Sequence, residues 1–131
     1  MNDTVHIFAG HFDNRESAHA YTQAQWESEP GADATDAEYA AWEERNPTCL
    51  MKDEFGVYLD SDFIETIFGE GRYEYLGQRL TQLDALANIR KLAGEESNTL
   101  VLIFSEALGG FDAEMKSTSK LQYCGQFDCR L

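Results

Sequence analysis

Long apolar runs are missing from this chain: the longest, TLVLIF at residues 99–104, has the length of a strand, far below the roughly 18–20 residues a membrane-spanning helix requires. Cations are scarce as well. Ten Lys and Arg face 24 Asp and Glu, for a net charge of −14, which argues against direct contact with nucleic-acid phosphates or anionic lipid and favours a cationic partner. Cysteine is limited to Cys49, Cys124 and Cys129, an odd number without CxxC spacing. That usage suits reduced thiols better than a disulfide framework, although a pair plus one free thiol stays open. The start, MNDTVHIF, has no basic region followed by an apolar stretch and a cleavage site, so the expected location is the cytoplasm. No GxSxG elbow, glycine-rich phosphate loop or HExxH helix occurs.

Aromatic residues are plentiful: eight Phe, six Tyr and two Trp in 131 residues. Such a chain buries enough apolar surface to offset its ordering entropy, and its length suits one domain spanning residues 1–131. Its acids are concentrated. Residues 27–65 hold twelve of the 24 acids but only Arg45 and Lys52 of the ten bases.

The pattern predicts a strand at 4–10, rich in β-branched and aromatic residues and ending at Gly10. Asp13 and Glu16 form a cap signal for a helix over about 14–26, with Ala18 and Tyr21 inward. Pro30 and Gly31 mark a loop, and Thr35-Asp36-Ala37-Glu38 has capping-box form for a short helix carrying Tyr39 and Trp42 until Arg45-Asn46-Pro47 ends it. Further on, the spacing predicts a turn at Gly56, a short extended piece at 57–59, a helix over 62–68 stopped by Gly69-Glu70-Gly71, and a long helical zone over 73–93 stopped by Gly94. Residues 98–105 read as a central strand. In the tail, Leu121, Tyr123, Phe127, Cys129 and Leu131 share one parity, interrupted by Gly125, as in a final strand with one buried face. The expected fold class is α+β: a small, mainly antiparallel sheet, made of the N-terminal strand and two C-terminal strands, covered by several helices.

Three chemistries compete for the acidic middle. Asp60-Ser61-Asp62 begins like a calcium loop, yet the fifth, sixth and twelfth positions are Ile64, Glu65 and Gly71, so the ligands and the turn glycine are missing. A looser metal-dependent hydrolase would need Asp60, Asp62 and a histidine such as His11. Histidines 6, 11 and 19 have no second ligand cluster nearby, and neither a metal nor a cofactor is expected. Helix capping explains one of the three residues at 60–62 and leaves the other acids to the surface. Trp26, Tyr39 and Trp42 sit among these acids, where they either pin short helices to the core or anchor an interface with a polar rim.

VHIFAGHFD at 5–13, YLDSDFIETIF at 58–68, LVLIF at 100–104 and YCGQF at 123–127 together resemble the immunity protein 22 family of bacterial polymorphic toxin systems, with the best match at Asp60, Asp62 and Phe63. Residues 27–47 depart from that pattern. The resemblance implies a non-catalytic α+β cytoplasmic protein that binds and neutralises a cognate toxin domain. The charge argument leads independently to a basic target, such as a nuclease whose cleft an acidic surface would occlude. The expected partner-binding residues are Glu38, Tyr39, Trp42, Glu43, Asp53, Glu54, Asp60, Asp62 and Glu65. The alternatives are an acidic mimic of nucleic acid that acts on a DNA-binding protein and, behind it, the metal-dependent hydrolase.

Overall fold

Alternation along Asp3–Gly10 sends Val5, Ile7 and Ala9 to one side and Phe8 to the other, and this strand, β1, becomes the spine of a four-stranded sheet. The computed structural model describes residues 3–57, 59–109 and 115–129. Their elements run β1, α1 (Arg15–Thr22), α2 (Asp36–Arg45), α3 (Leu50–Phe55), β2 (Ile64–Phe68), α4 (Arg72–Arg79), α5 (Leu83–Ala93), β3 (Thr99–Phe104) and β4 (Leu121–Cys129). The strand order is β2-β3-β1-β4, antiparallel throughout. The α+β expectation holds, with one more strand than the sequence pattern indicated.

Each face of the sheet carries its own apolar layer. Val5, Ile7, Leu100 and Leu102 pack against Leu76 of α4 and Ile89 of α5, whereas Phe8, Val101 and Ile103 pack against Ala18 and Tyr21 of α1 and Met51 of α3. β3 is buried along its whole length because both its faces are covered, which explains why it reads as a continuous apolar run. Each fully buried Leu or Ile contributes about 1.5–3 kcal/mol by its removal from water.

Several predicted boundaries move. α1 is capped by Asn14 and Ser17, which exchange side-chain and backbone hydrogen bonds, in place of Asp13 and Glu16, and it ends at Thr22. The expected turn at Gly56 is the left-handed end, φ 70°, of α3, a short helix the sequence pattern did not reveal. The extended piece at 57–59 does not form at Val57 or Leu59; Tyr58 lies outside the described residues.

The predicted helix over 62–68 is a correction. A single 3-10 turn at Ser61–Phe63 leads directly into β2, whose register against β3 runs from Ile64 opposite Ile103 to Phe68 opposite Thr99. Ile64, Ile67 and Phe68 fit i, i+3, i+4 spacing as well as a strand buried on both faces, and pairing with β3 decides the matter. Accordingly, Gly69 with φ 103° turns β2 into α4 and does not stop a helix.

The helical zone over 73–93 is interrupted where Leu80 pairs with Cys129 and the Thr81 amide donates to the Asp128 carbonyl, 3.3 Å. Gly94 closes α5 as expected. In β4 the single parity fails. Ile7 faces Gly125 and Phe8 faces Tyr123, so Cys124 is an extra residue at a bulge. Leu121 and Tyr123 therefore join the α1/α3 side, and Cys124, Phe127 and Cys129 the α4/α5 side. Leu131 lies outside the described residues.

Candidate protein-binding site

Between α1 and α3 the chain leaves the sheet and returns. Gln25 and Thr48 exchange backbone hydrogen bonds of 2.7 and 2.9 Å, which closes residues 25–48 into a lobe. Inside it, Thr35 caps α2 by accepting from the Glu38 amide, 3.1 Å, as the sequence predicts. α2 buries none of its residues. What holds it is local: the Asn46 side chain accepts from the Glu27 amide and donates to the Trp42 carbonyl, both 2.8 Å, and the Trp42 indole donates to the Glu27 carbonyl, 3.2 Å.

The aromatic residues do not pin α2 to the core. They pack on one another with tilted rings, Trp42 in the middle, its centroid 5.8 Å from that of Trp26 and 5.5 Å from that of Tyr39. Trp26 remains 61% exposed and Tyr39 36%. Carboxylates ring this stack. Tyr39 donates to Glu29 at 2.5 Å, a bond that holds its phenol above the usual range, and Glu43 adds to that field. Glu27 pairs with Arg45 at 2.8 Å, which lowers its carboxyl pKa. Glu38 and Glu43 are exposed on α2.

A second patch adjoins the neck of the lobe. Lys52 of α3 donates to Ser61, 2.7 Å, so α3 lies beside the 3-10 turn. Leu50, Val57 and Phe63 are exposed here among Asp53 and Asp62. Asp60 is the cap that the sequence required, and it accepts from the Asp62 amide at 3.0 Å.

Two of the nine predicted residues, Glu54 and Glu65, are taken up in contacts that tie distant elements of the fold together. Glu54 accepts from the buried Tyr21 hydroxyl and from the Ser119 amide, 3.2 Å, and thereby ties α3 to α1 and to the segment before β4. The Ser119 and Tyr21 hydrogen bonds lower its pKa, while burial and then the bond to Glu54 push Tyr21 up to about 12. Glu65 stands opposite Leu102, on the α4/α5 side of the sheet, where it accepts from the Tyr75 hydroxyl and pairs with Arg79 at 3.4 Å. The remaining seven fall into the lobe (Glu38, Tyr39, Trp42, Glu43) and the adjoining patch (Asp53, Asp60, Asp62). Leu50 and Val57 were not singled out as contact residues by the sequence pattern, and Trp26, weighed with Tyr39 and Trp42 as an interface anchor, was not among the nine expected contact residues. Trp26 had a signal in its acidic setting, whereas Leu50 had none, because no helical period marks α3, and neither had Val57, which follows the helix outside any regular element.

Among the described residues no three His, Cys, Asp or Glu side chains converge as a metal site would require. His6 donates or accepts at the Tyr123 hydroxyl, 2.8 Å, and His11 Nδ1 donates to the Glu96 carbonyl, 2.7 Å, so each ring serves packing or a loop contact. Among the described residues no helix is long and apolar enough to cross a membrane. No known protein family, no characterised protein and no solved structure matches the chain.

Proposed function

We propose that this protein is a binding protein without catalysis of its own, and that it docks its acidic, aromatic lobe and the adjoining α3 patch onto the basic face of another protein. The occupant with the required chemistry is a toxin domain whose positively charged cleft must be blocked, and the protein acts as its immunity partner. The observation that carries this reading is Trp26, 61% exposed and packed at a tilt against Trp42 of a helix that fully buries none of its residues. Large aromatic surface left in water contributes little to folding but much to association, and Trp and Tyr are the residues that dominate interface energetics.

The carboxylates around the stack supply the polar rim and the long-range attraction. A field of this sign steers a cationic partner, lifting association to about 10⁸ M⁻¹s⁻¹ or faster at low salt, and the aromatic anchors then slow dissociation. A nuclease is the toxin class that fits best, since an enzyme acting on nucleic acid needs a basic cleft. Inhibition is by occlusion: the lobe occupies the space of the substrate.

Co-expression with the neighbouring gene's product tests the reading. Its co-purification with the wild-type protein, lost when Glu38, Glu43, Asp60 and Asp62 are changed to Gln or Asn, is the expected result. Undiminished recovery with the quadruple variant overturns this surface as the contact.

A further inference from the structure

On the side of the sheet covered by α4 and α5, three cations gather in a chain that is otherwise short of them. The guanidinium carbons of Arg72 and Arg90 each lie 4.6 Å from the centroid of the Tyr73 ring. Lys91 completes an open cleft of about 610 Å³ between the start of α4 and the end of α5, whose other walls are Gly94 and Glu95. The ion pairs among the described residues are Arg45 with Glu27 and Arg79 with Glu65. None involves Arg72, Arg90 or Lys91, although Glu70 and Glu74 line the adjoining hollow.

We propose that this cleft binds a compact oxyanion, a phosphate group, at a site separate from the acidic docking surface. Arg72 is pre-organised: it donates to the Gly69 carbonyl at 2.9 Å and to the Ser97 carbonyl at 2.6 Å, while its Nε is buried without a partner. Its guanidinium is thus held in place by neutral acceptors, and among the described residues no carboxylate pairs with it, although Glu70, Glu74 and Glu95 stand around the cleft. Arg90 and Lys91 are exposed and supply the hydrogen-bond donors. The helix dipole favours a cation at the end of α5, but it does not account for two guanidinium groups sharing one tyrosine ring. Tyr73 is buried under them, so no ring face is left for a nucleobase, and the cleft selects the phosphate itself.

The test is a titration of the ¹⁵N-labelled protein with inorganic phosphate and, separately, with glycerol 2-phosphate, against sodium chloride at matched ionic strength. Saturable amide shifts confined to residues 69–74 and 90–95, weakened about tenfold or more in Arg90→Gln/Lys91→Gln and unchanged in Glu43→Gln, are expected. The tighter of the two ligands names the source, free phosphate or a phosphate ester. Shifts that chloride reproduces, or that survive in the double variant, overturn the proposal. Both substitutions are at exposed positions, so a folded variant is retained, and the outcome is independent of whether the lobe binds a toxin.

Discussion

Gln25 and Thr48 pair backbone to backbone at the mouth of the lobe, so residues 25–48 form a unit closed by its own hydrogen bonds and little else. Asn46 is its keystone, with one bond to the Glu27 amide and one to the Trp42 carbonyl. Asn46→Ala is expected to lower the free energy of local opening by about 1–3 kcal/mol. Amide exchange should accelerate within 26–46 and stay unchanged in β1 and β3, and tryptophan emission should move to the red, since Trp26 and Trp42 are the chain's two tryptophans.

The Tyr21–Glu54 bond makes stability depend on pH at both ends. Tyr21 has a folded pKa raised to about 12, so its contribution is complete below the ordinary tyrosine value near 10 and is lost as pH rises through about 12. Glu54 is shifted down; its contribution is present above the ordinary carboxylate value and is lost as pH falls through the lower folded one. Tyr21→Phe should cost ~1 kcal/mol at neutral pH. Urea midpoints against pH should show the wild-type advantage vanishing on the alkaline side, and Glu54→Gln should flatten the acid side.

Gly10 ends β1 where the chain passes under the start of β4. A Cβ there would meet the Lys120 carbonyl oxygen at 2.7 Å and Leu121 at 3.0 Å. Because backbone cannot yield as a side-chain tip does, Gly10→Ala should destabilise by about 1–3 kcal/mol in urea unfolding. Gly31→Ala, with nothing within 4 Å of its Cβ, should stay within about 0.5 kcal/mol.

Glu65 and Glu43 look alike in sequence and should behave differently. Glu65→Gln weakens the contacts with Tyr75 and Arg79, with a loss of up to about 1 kcal/mol of stability and no loss of partner capture. Glu43→Gln should leave unfolding unchanged and weaken capture. A binding curve and a melting curve on each variant separate the two roles.

The parts of the fold set by local pattern were legible in the sequence: β1 and β3 from their residue types, the cap at Thr35, and the stop at Gly94. Those set by distant partners were not. β2 carries a helix-like spacing because its Ile and Phe residues serve two faces, and nothing local announces its pairing with β3. The bulge at Cys124 has one local mark, Gly125 at φ 118°, which interrupts the alternation without showing that parity reverses there, and Leu80 breaks a helical period only because Cys129 lies beside it. At the candidate site, clustering of acids in the sequence pointed to Glu38, Glu43, Asp53 and Asp62, all of which are exposed. It had no means of showing that Glu54 and Glu65 are taken up by Tyr21 and Tyr75, since those contacts depend on the folded sheet.

The most direct measurement follows tryptophan emission while the purified partner is titrated in at ~50 mM and ~300 mM sodium chloride, because both tryptophans reside in the lobe. A change in emission that saturates with the partner, with the dissociation constant rising tenfold or more at the higher salt, is the predicted result. Tight binding that leaves the emission untouched and the affinity indifferent to salt would contradict the account.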